Sequence, residues 1–223
     1  MTGQLANTVE TAYEYLRDRV VTFRVKPGER LNESEIAATL TMSRAPIREA
    51  LNRLIADGLV SFEPRRGFFC RRLSISEMAE LYAVRYDLES GALRQSLAAA
   101  DGGAISAFVQ KWRFAGAMRP SDDIDAFVTA DEAFHLELAA LAGNAARLKF
   151  LENINNRIRF VRRINLETRD GALDEHHDLL DAVDTRDATA AQQILRNHLD
   201  RSAEEVRDQV QQAIARIYAD DVA

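Results

Sequence analysis

The apolar periodicity of this chain changes character at one place. Over most of its length apolar residues return at three- and four-residue steps, the spacing that gives a helix one buried stripe. After Gly58, however, two β-like runs, Leu59 to Glu63 and Phe68 to Arg71, flank the turn-forming Pro64-Arg65-Arg66-Gly67. The chain must therefore fit a hairpin between helices. Ahead of it, Leu5, Val9, Ala12, Leu16 and Val20 make one stripe that Lys26-Pro27-Gly28 ends. Asn32 followed by Glu35 suits a capping box at the start of a second, short helix whose buried face is Ile36, Ala37 and Leu40. Ser43 suits the cap of a third, with Pro46 in the first turn and Ile47, Ala50, Leu51 and Leu54 inward until Gly58 stops it.

Beyond Leu73 strand signals vanish. Long amphipathic segments follow, punctuated by Asp101-Gly102-Gly103, Arg119-Pro120, Gly143-Asn144 and Asp170-Gly171, which predicts about six helices. The fold expected is mainly α: a winged helix-turn-helix with a small β-hairpin wing over residues 1–73, and an all-α bundle over 74–223.

Charge divides along the same line. The net charge of −6 opposes nucleic-acid binding only until it is split: residues 1–73 hold 12 Lys/Arg against 9 Asp/Glu, and the remainder 17 against 26. No stretch approaches the roughly 18 apolar residues of a membrane span, and the start has no basic leader, so a cytoplasmic protein without a membrane partner is expected. The lone Cys70 excludes an intramolecular disulfide and fits a reducing compartment.

In a winged helix-turn-helix the third helix enters the major groove and presents its first turn to DNA. Ser43, Arg44 and Ala45 then reach phosphates or base edges, with Arg48 one turn further along the same face. Arg65, Arg66 and Gly67 at the wing tip suit phosphates or a narrow minor groove. Each arginine alone is an ordinary solvated charge; four in these positions point to DNA.

Asn32-Glu33-Ser34-Glu35-Ile36-Ala37, Ser43 to Leu51, Leu54, Asp57-Gly58-Leu59-Val60 and Arg66-Gly67-Phe68 resemble the GntR-type winged-helix regulators over nearly all of residues 8–72. The resemblance implies DNA contacts at Ser34, Ser43, Arg44, Ala45, Arg48, Arg66 and Gly67, and a homodimer on a palindromic operator of double-stranded DNA.

All four histidines lie between positions 135 and 198. Asp131 precedes His135 by four residues, which puts a carboxylate and an imidazole on one helix face. His176, on the bundle's fifth helix, and His198, on its last, can converge with them into a site of three nitrogens and one oxygen, suited to zinc first and to nickel or manganese also. His177 offers an alternative to its neighbour; His176 is read as the inward one. Arg85 with Glu89, Asp131 with Phe134-His135, Ala142-Gly143-Asn144, Glu175-His176 and Asn197-His198-Leu199 resemble the FCD effector domain of the FadR branch over about residues 75–205. Its metal-binding members place an aspartate and three histidines at the positions matching Asp131, His135, His176 and His198. The resemblance implies a small organic acid as effector.

Arg85 reads equally as a pocket cation and as an intrahelical partner of Glu89, and Arg162 as a second anion contact. Arg157, Arg159, Arg162 and Arg163 read first as a solvated basic face, and Trp112 as packing. The rival reading is a helical metal-dependent phosphohydrolase using His177-Asp178, which leaves the N-terminal motifs unexplained and lacks a placed general base.

Overall fold

The computed structural model describes residues 2–115, 123–168, 172–199 and 203–219. The chain divides into two compact units, Met1–Ser74 together with Ile214–Ala223, and Ile75–Ala213. Residues 214–219, expected in the helical domain, group with the first unit, where the Tyr218 hydroxyl donates to the Pro27 carbonyl at 3.2 Å.

The first unit is built from α1 (Thr2–Val21), β1 (Arg30–Leu31), α2 (Glu33–Thr39), α3 (Arg44–Ala56), β2 (Val60–Glu63) and β3 (Gly67–Cys70). The α1 stripe of Ala12, Leu16 and Val20 packs with Ile47, Ala50, Leu51 and Leu54 of α3, and Phe68 closes the core from the sheet. Each of these large apolar side chains contributes roughly 1.5–3 kcal/mol by leaving water. The caps are less reciprocal than expected. Asn32 accepts from the Ser34 N–H at 3.0 Å, but it donates its own amide to Glu35 at 2.6 Å. Ser43 occupies the N-cap position of α3 in extended conformation without a side-chain capping bond.

The wing is a three-stranded antiparallel sheet in the order β1-β3-β2 and not a bare hairpin. Leu31 pairs with Phe68 and Arg30 with Phe69. The hairpin turn runs through Arg65, at φ +67, into Gly67, at φ +100, a conformation glycine adopts without penalty.

The second unit holds α4 (Ile75–Ala99), α5 (Gly102–Ala115), α6 (Ile124–Ala140), α7 (Ala145–Thr168), α8 (Ala172–Asp184), α9 (Ala188–Leu199) and the start of α10 (Ala203–Tyr218). Among the described residues seven helices thus stand where about six were expected, and His198 lies on α9 rather than on the last helix. Gly102 opens α5, and Gly143, at φ +67, turns the chain between α6 and α7. The expected breaks at Arg119-Pro120 and Asp170-Gly171 fall outside the described residues. Leu93, Leu97, Phe108, Phe134, Leu179 and Leu195 form the main core. Trp112 packs against it while its indole N–H donates to Glu137 at 3.0 Å.

Candidate functional sites

Two sites can be built from the residues upward. On the first unit, α3 buries Pro46 and Ile47 and leaves Ser43, Arg44, Ala45 and Arg48 exposed. The amphipathic spacing that fixes α3 onto α1 therefore also turns Arg44 and Arg48 outward. Arg44 comes within 3.9 Å of the Glu33 carboxylate, too long for a strong pair, and Ser34 is exposed on α2. At the wing, Arg65 and Arg66 are exposed; Arg66 pairs with Glu63 and lies 5.1 Å over the Phe69 ring. Arg30, to which the sequence reading gave no role, reaches the same place: a methyl group added to Gly67 would stand 3.6 Å from its Nε. The exposed side chains at the start of α3 and at the wing tip are thus predominantly cationic.

The second site lies inside the helical unit, where a hydrophobic interior is interrupted by buried ionisable groups. Arg85 and Glu89 on α4, Asp131 and His135 on α6, Arg162 on α7, His176 on α8 and His198 on α9 are all buried. One ligand atom from each of Asp131, His135, His176 and His198 lies within 4.8 Å of the others. The His135 and His198 Nε2 atoms are 3.1 Å apart, those of His176 and His198 3.3 Å. Asp131 Oδ1 stands 3.4 Å from His176 Nε2 and 3.9 Å from His135 Nε2. Neighbouring donors bound at about 2.0–2.2 Å to one ion are spaced about 3 Å apart, so the closest of these separations suit a divalent metal.

The outer partners point the imidazoles the same way. His135 Nδ1 faces Glu89 Oε2 at 2.7 Å, and His198 Nδ1 faces Glu175 Oε2 at 2.6 Å. At His198 that bond keeps the proton on Nδ1 and leaves the Nε2 lone pair for the cluster; at His135 the Glu89 carboxylate makes an ion-pair contact off the line of a hydrogen bond. Phe134 stacks on His176 with ring centroids 4.2 Å apart, which holds the third imidazole. His177 is exposed. A sequence signal separates the two neighbours: buried Leu179, Leu180 and Val183 lie three, four and seven residues from His176, so His176 shares their stripe.

Arg85 makes the intrahelical pair with Glu89. Its Nε donates to Glu89 Oε1 at 2.6 Å, while Nη1 and Nη2 are buried with no hydrogen-bond partner. Burial disfavours the guanidinium charge, yet Glu89 and Asp131 overcome that and its pKa is raised. Burial likewise disfavours the Glu89 carboxylate, but Arg85 and His135 hold its pKa down at about 2. Arg162 is committed differently, donating from Nε and Nη2 to Asp131 Oδ2. A pocket lined by Tyr82, Arg85, Arg162, Asn165 and His198 adjoins these groups.

The solvated reading of the α7 arginines is corrected. Arg157 pairs with Glu77, Arg159 with Glu132, and Arg163 with Asp125 and Glu167. Their acidic partners lie mostly on α4 and α6, far off in sequence.

Comparison with known proteins bears on both sites. Residues 8–70 match the bacterial regulatory proteins of the gntR family, and residues 80–201 match the FCD domain. The chain is 32% identical to the Nta operon transcriptional regulator of Aminobacter aminovorans, over 89% of this chain and 94% of that one. It is 25% identical to the HTH-type transcriptional repressor RspR of Escherichia coli, over 87% of each. Among solved structures, a putative transcriptional regulator GntR from Rhodococcus sp. RHA1 superposes with a TM-score of 0.70 at 27% identity, covering 94% of this chain and 98% of that one. Escherichia coli McbR/YncC shares the fold with a TM-score of 0.67 at 20% identity, over 96% and 98%.

Proposed function

Because the chain belongs to the gntR family of bacterial regulatory proteins and carries an FCD domain, we propose that it is a ligand-responsive repressor whose operator affinity is set by a small organic acid bound beside a divalent metal. That it is a DNA-binding transcriptional regulator, not an enzyme, follows from the family and from its relatives. The phosphohydrolase reading is set aside on that ground. The observation that carries the rest is the convergence of three imidazole Nε2 atoms and one carboxylate oxygen in the interior of the helical unit.

In this reading Asp131, His135, His176 and His198 hold the metal, zinc by choice of ligands. The metal supplies a fixed positive charge with coordination positions that a carboxylate can share. Arg85 offers two buried, unpartnered N–H groups to the same carboxylate or to a second one, and Arg162 steadies Asp131 while fronting the pocket. On the first unit, Ser43, Arg44, Ala45 and Arg48 read the major groove, Ser34 contacts the backbone, and Arg65, Arg66 and Gly67 meet it through the wing. A homodimer places two such heads on a palindromic operator. Effector binding regulates only to the extent that it favours one arrangement of the dimer over the other.

The test is metal analysis of tag-free protein, followed by a thermal-shift screen of mono- and dicarboxylic acids before and after chelation. Stabilisation by an acid that disappears with the metal supports the reading. Protein without metal, or acid binding indifferent to chelation, refutes it.

A further inference from the structure

A buried guanidinium beside a metal site should oppose the metal, because two positive charges repel most strongly where water is excluded. From the Arg85–Glu89–His135 chain we infer the reverse: Arg85 strengthens metal binding, as a positioning residue that acts through Glu89. The inference rests on the metal reading above.

Arg85 and Glu89 are one helical turn apart on α4, and Arg85 Nε donates to Glu89 Oε1 at 2.6 Å. The other carboxylate oxygen of Glu89 faces His135 Nδ1 at 2.7 Å. All three residues are at most 4% exposed, so water cannot take the place of any of them. Glu89 therefore performs two tasks with its two oxygens. One sets its negative charge against the His135 ring at Nδ1, and so holds Nε2 toward Asp131, His176 and His198; the other is held in place by Arg85. Without Arg85, Glu89 becomes an uncompensated buried carboxylate that turns away, and His135 loses the contact that fixes its orientation.

The outer partner of His198 provides the contrast. Glu175 approaches Nδ1 at 2.6 Å but its side chain is 31% exposed, so water can replace it. The two carboxylates look equivalent as partners of imidazole. Glu89 is anchored by Arg85 and sealed from solvent.

The two accounts of Arg85 differ in sign. Simple repulsion makes Arg85→Gln bind the metal more tightly; positioning makes it bind more weakly. The experiment is a zinc titration of the full chain in competition with a chromophoric chelator, comparing wild type, Arg85→Gln, Arg85→Lys, Glu89→Gln, the Arg85→Gln/Glu89→Gln double variant and Glu175→Gln. Thermal midpoints of the metal-free forms serve as the check on folding. Arg85→Gln and Glu89→Gln are each expected to lose about tenfold to a hundredfold in zinc affinity, the range seen for outer-shell partners. The double variant should lose no more than the worse single one, since both act through one imidazole. Arg85→Lys, which keeps the charge and a donor, should recover most of the loss, and Glu175→Gln should lose less than Glu89→Gln. Zinc affinity unchanged or raised in Arg85→Gln, or additive losses in the double variant, would overturn the inference. Should Arg85→Gln not fold, undiminished affinity in the nearly isosteric Glu89→Gln has the same force. Wild type that does not bind zinc overturns the metal reading and this inference together, whereas tight wild-type binding with indifferent variants overturns this inference alone.

Discussion

His135 and His198 stack nearly parallel, with ring centroids 5.0 Å apart, an interplanar angle of 22° and their Nε2 atoms 3.1 Å from each other. His198 Nδ1 is bonded to the Glu175 carboxylate and His135 Nδ1 lies 2.7 Å from that of Glu89, so the two Nε2 atoms face one another in the interior. Such an arrangement is relieved by a shared proton or by a cation, and the approach of His176 Nε2 and Asp131 Oδ1 to the same point favours a metal.

Metal binding should therefore stabilise the folded protein, and the effect should depend on the ligand histidines. With zinc a thousandfold above its Kd the gain is about 4 kcal/mol, visible as a higher thermal midpoint that chelation abolishes. His135→Ala or His198→Ala should remove the zinc-dependent part of the midpoint. His177→Ala should leave it intact, because that imidazole is exposed. A zinc response lost equally in His177→Ala would contradict the assignment of His176.

Phe134 links the core to the site. It is 1% exposed, stacks on His176 and meets Trp112 edge to face at 5.4 Å. Phe134→Ala should cost about 3–5 kcal/mol of stability in denaturant unfolding, as for other buried aromatics, and should also loosen zinc binding. The sole tryptophan gives the readout, since emission from Trp112 should change on zinc binding in wild type and not in the variant.

Replacement of the α3 arginines tests the DNA face without touching the helical unit. Arg48→Ala should cost about 1–3 kcal/mol of operator affinity where the side chain reads a base, with relaxed preference at that position. Where Arg44 contacts phosphate, Arg44→Ala should instead lower the log–log salt slope by about one per half-site. Zinc affinity should remain as in wild type. Fluorescence anisotropy across a salt series separates the two outcomes, and wild-type DNA affinity in both variants would refute the placement of α3.

Much of this was legible in the sequence, and the exceptions share a cause. Arg65-Arg66-Gly67 was readable because turn chemistry is local, and the α3 stripe because its period is. β1 escaped notice because two residues, Arg30 and Leu31, carry no period; they become a strand only by pairing with Phe69 and Phe68. Glu89 was visible as a helical neighbour of Arg85, but its contact with His135 joins α4 to α6 and leaves no local trace. The ion pairs of Arg157 and Arg159 were missed for the same reason. His176 could have been told from His177 by its place on the stripe of Leu179, Leu180 and Val183.

The first unit carries its own pH signature. The Tyr13 hydroxyl donates to Asp57 at 2.8 Å, and burial together with that bond pushes its pKa from 10.0 up to about 12. The folded protein holds this proton more tightly than the unfolded chain does. Its contribution is therefore complete below about pH 10 and is lost as the pH rises toward about 12. Tyr13→Phe should lower stability at neutral pH by about 0.5–1.5 kcal/mol and flatten the alkaline limb of the stability curve. An alkaline limb as steep as wild type would contradict it.

The most direct test of effector control at the metal site is the affinity of the intact zinc-loaded protein for a duplex selected from a random pool, measured at fixed salt with and without the acid that best stabilises it. The acid is expected to change that affinity at least about tenfold, or about 1.4 kcal/mol, and the change should vanish in His135→Ala. An affinity that is the same with and without the acid, or a response that survives loss of His135, would contradict the account.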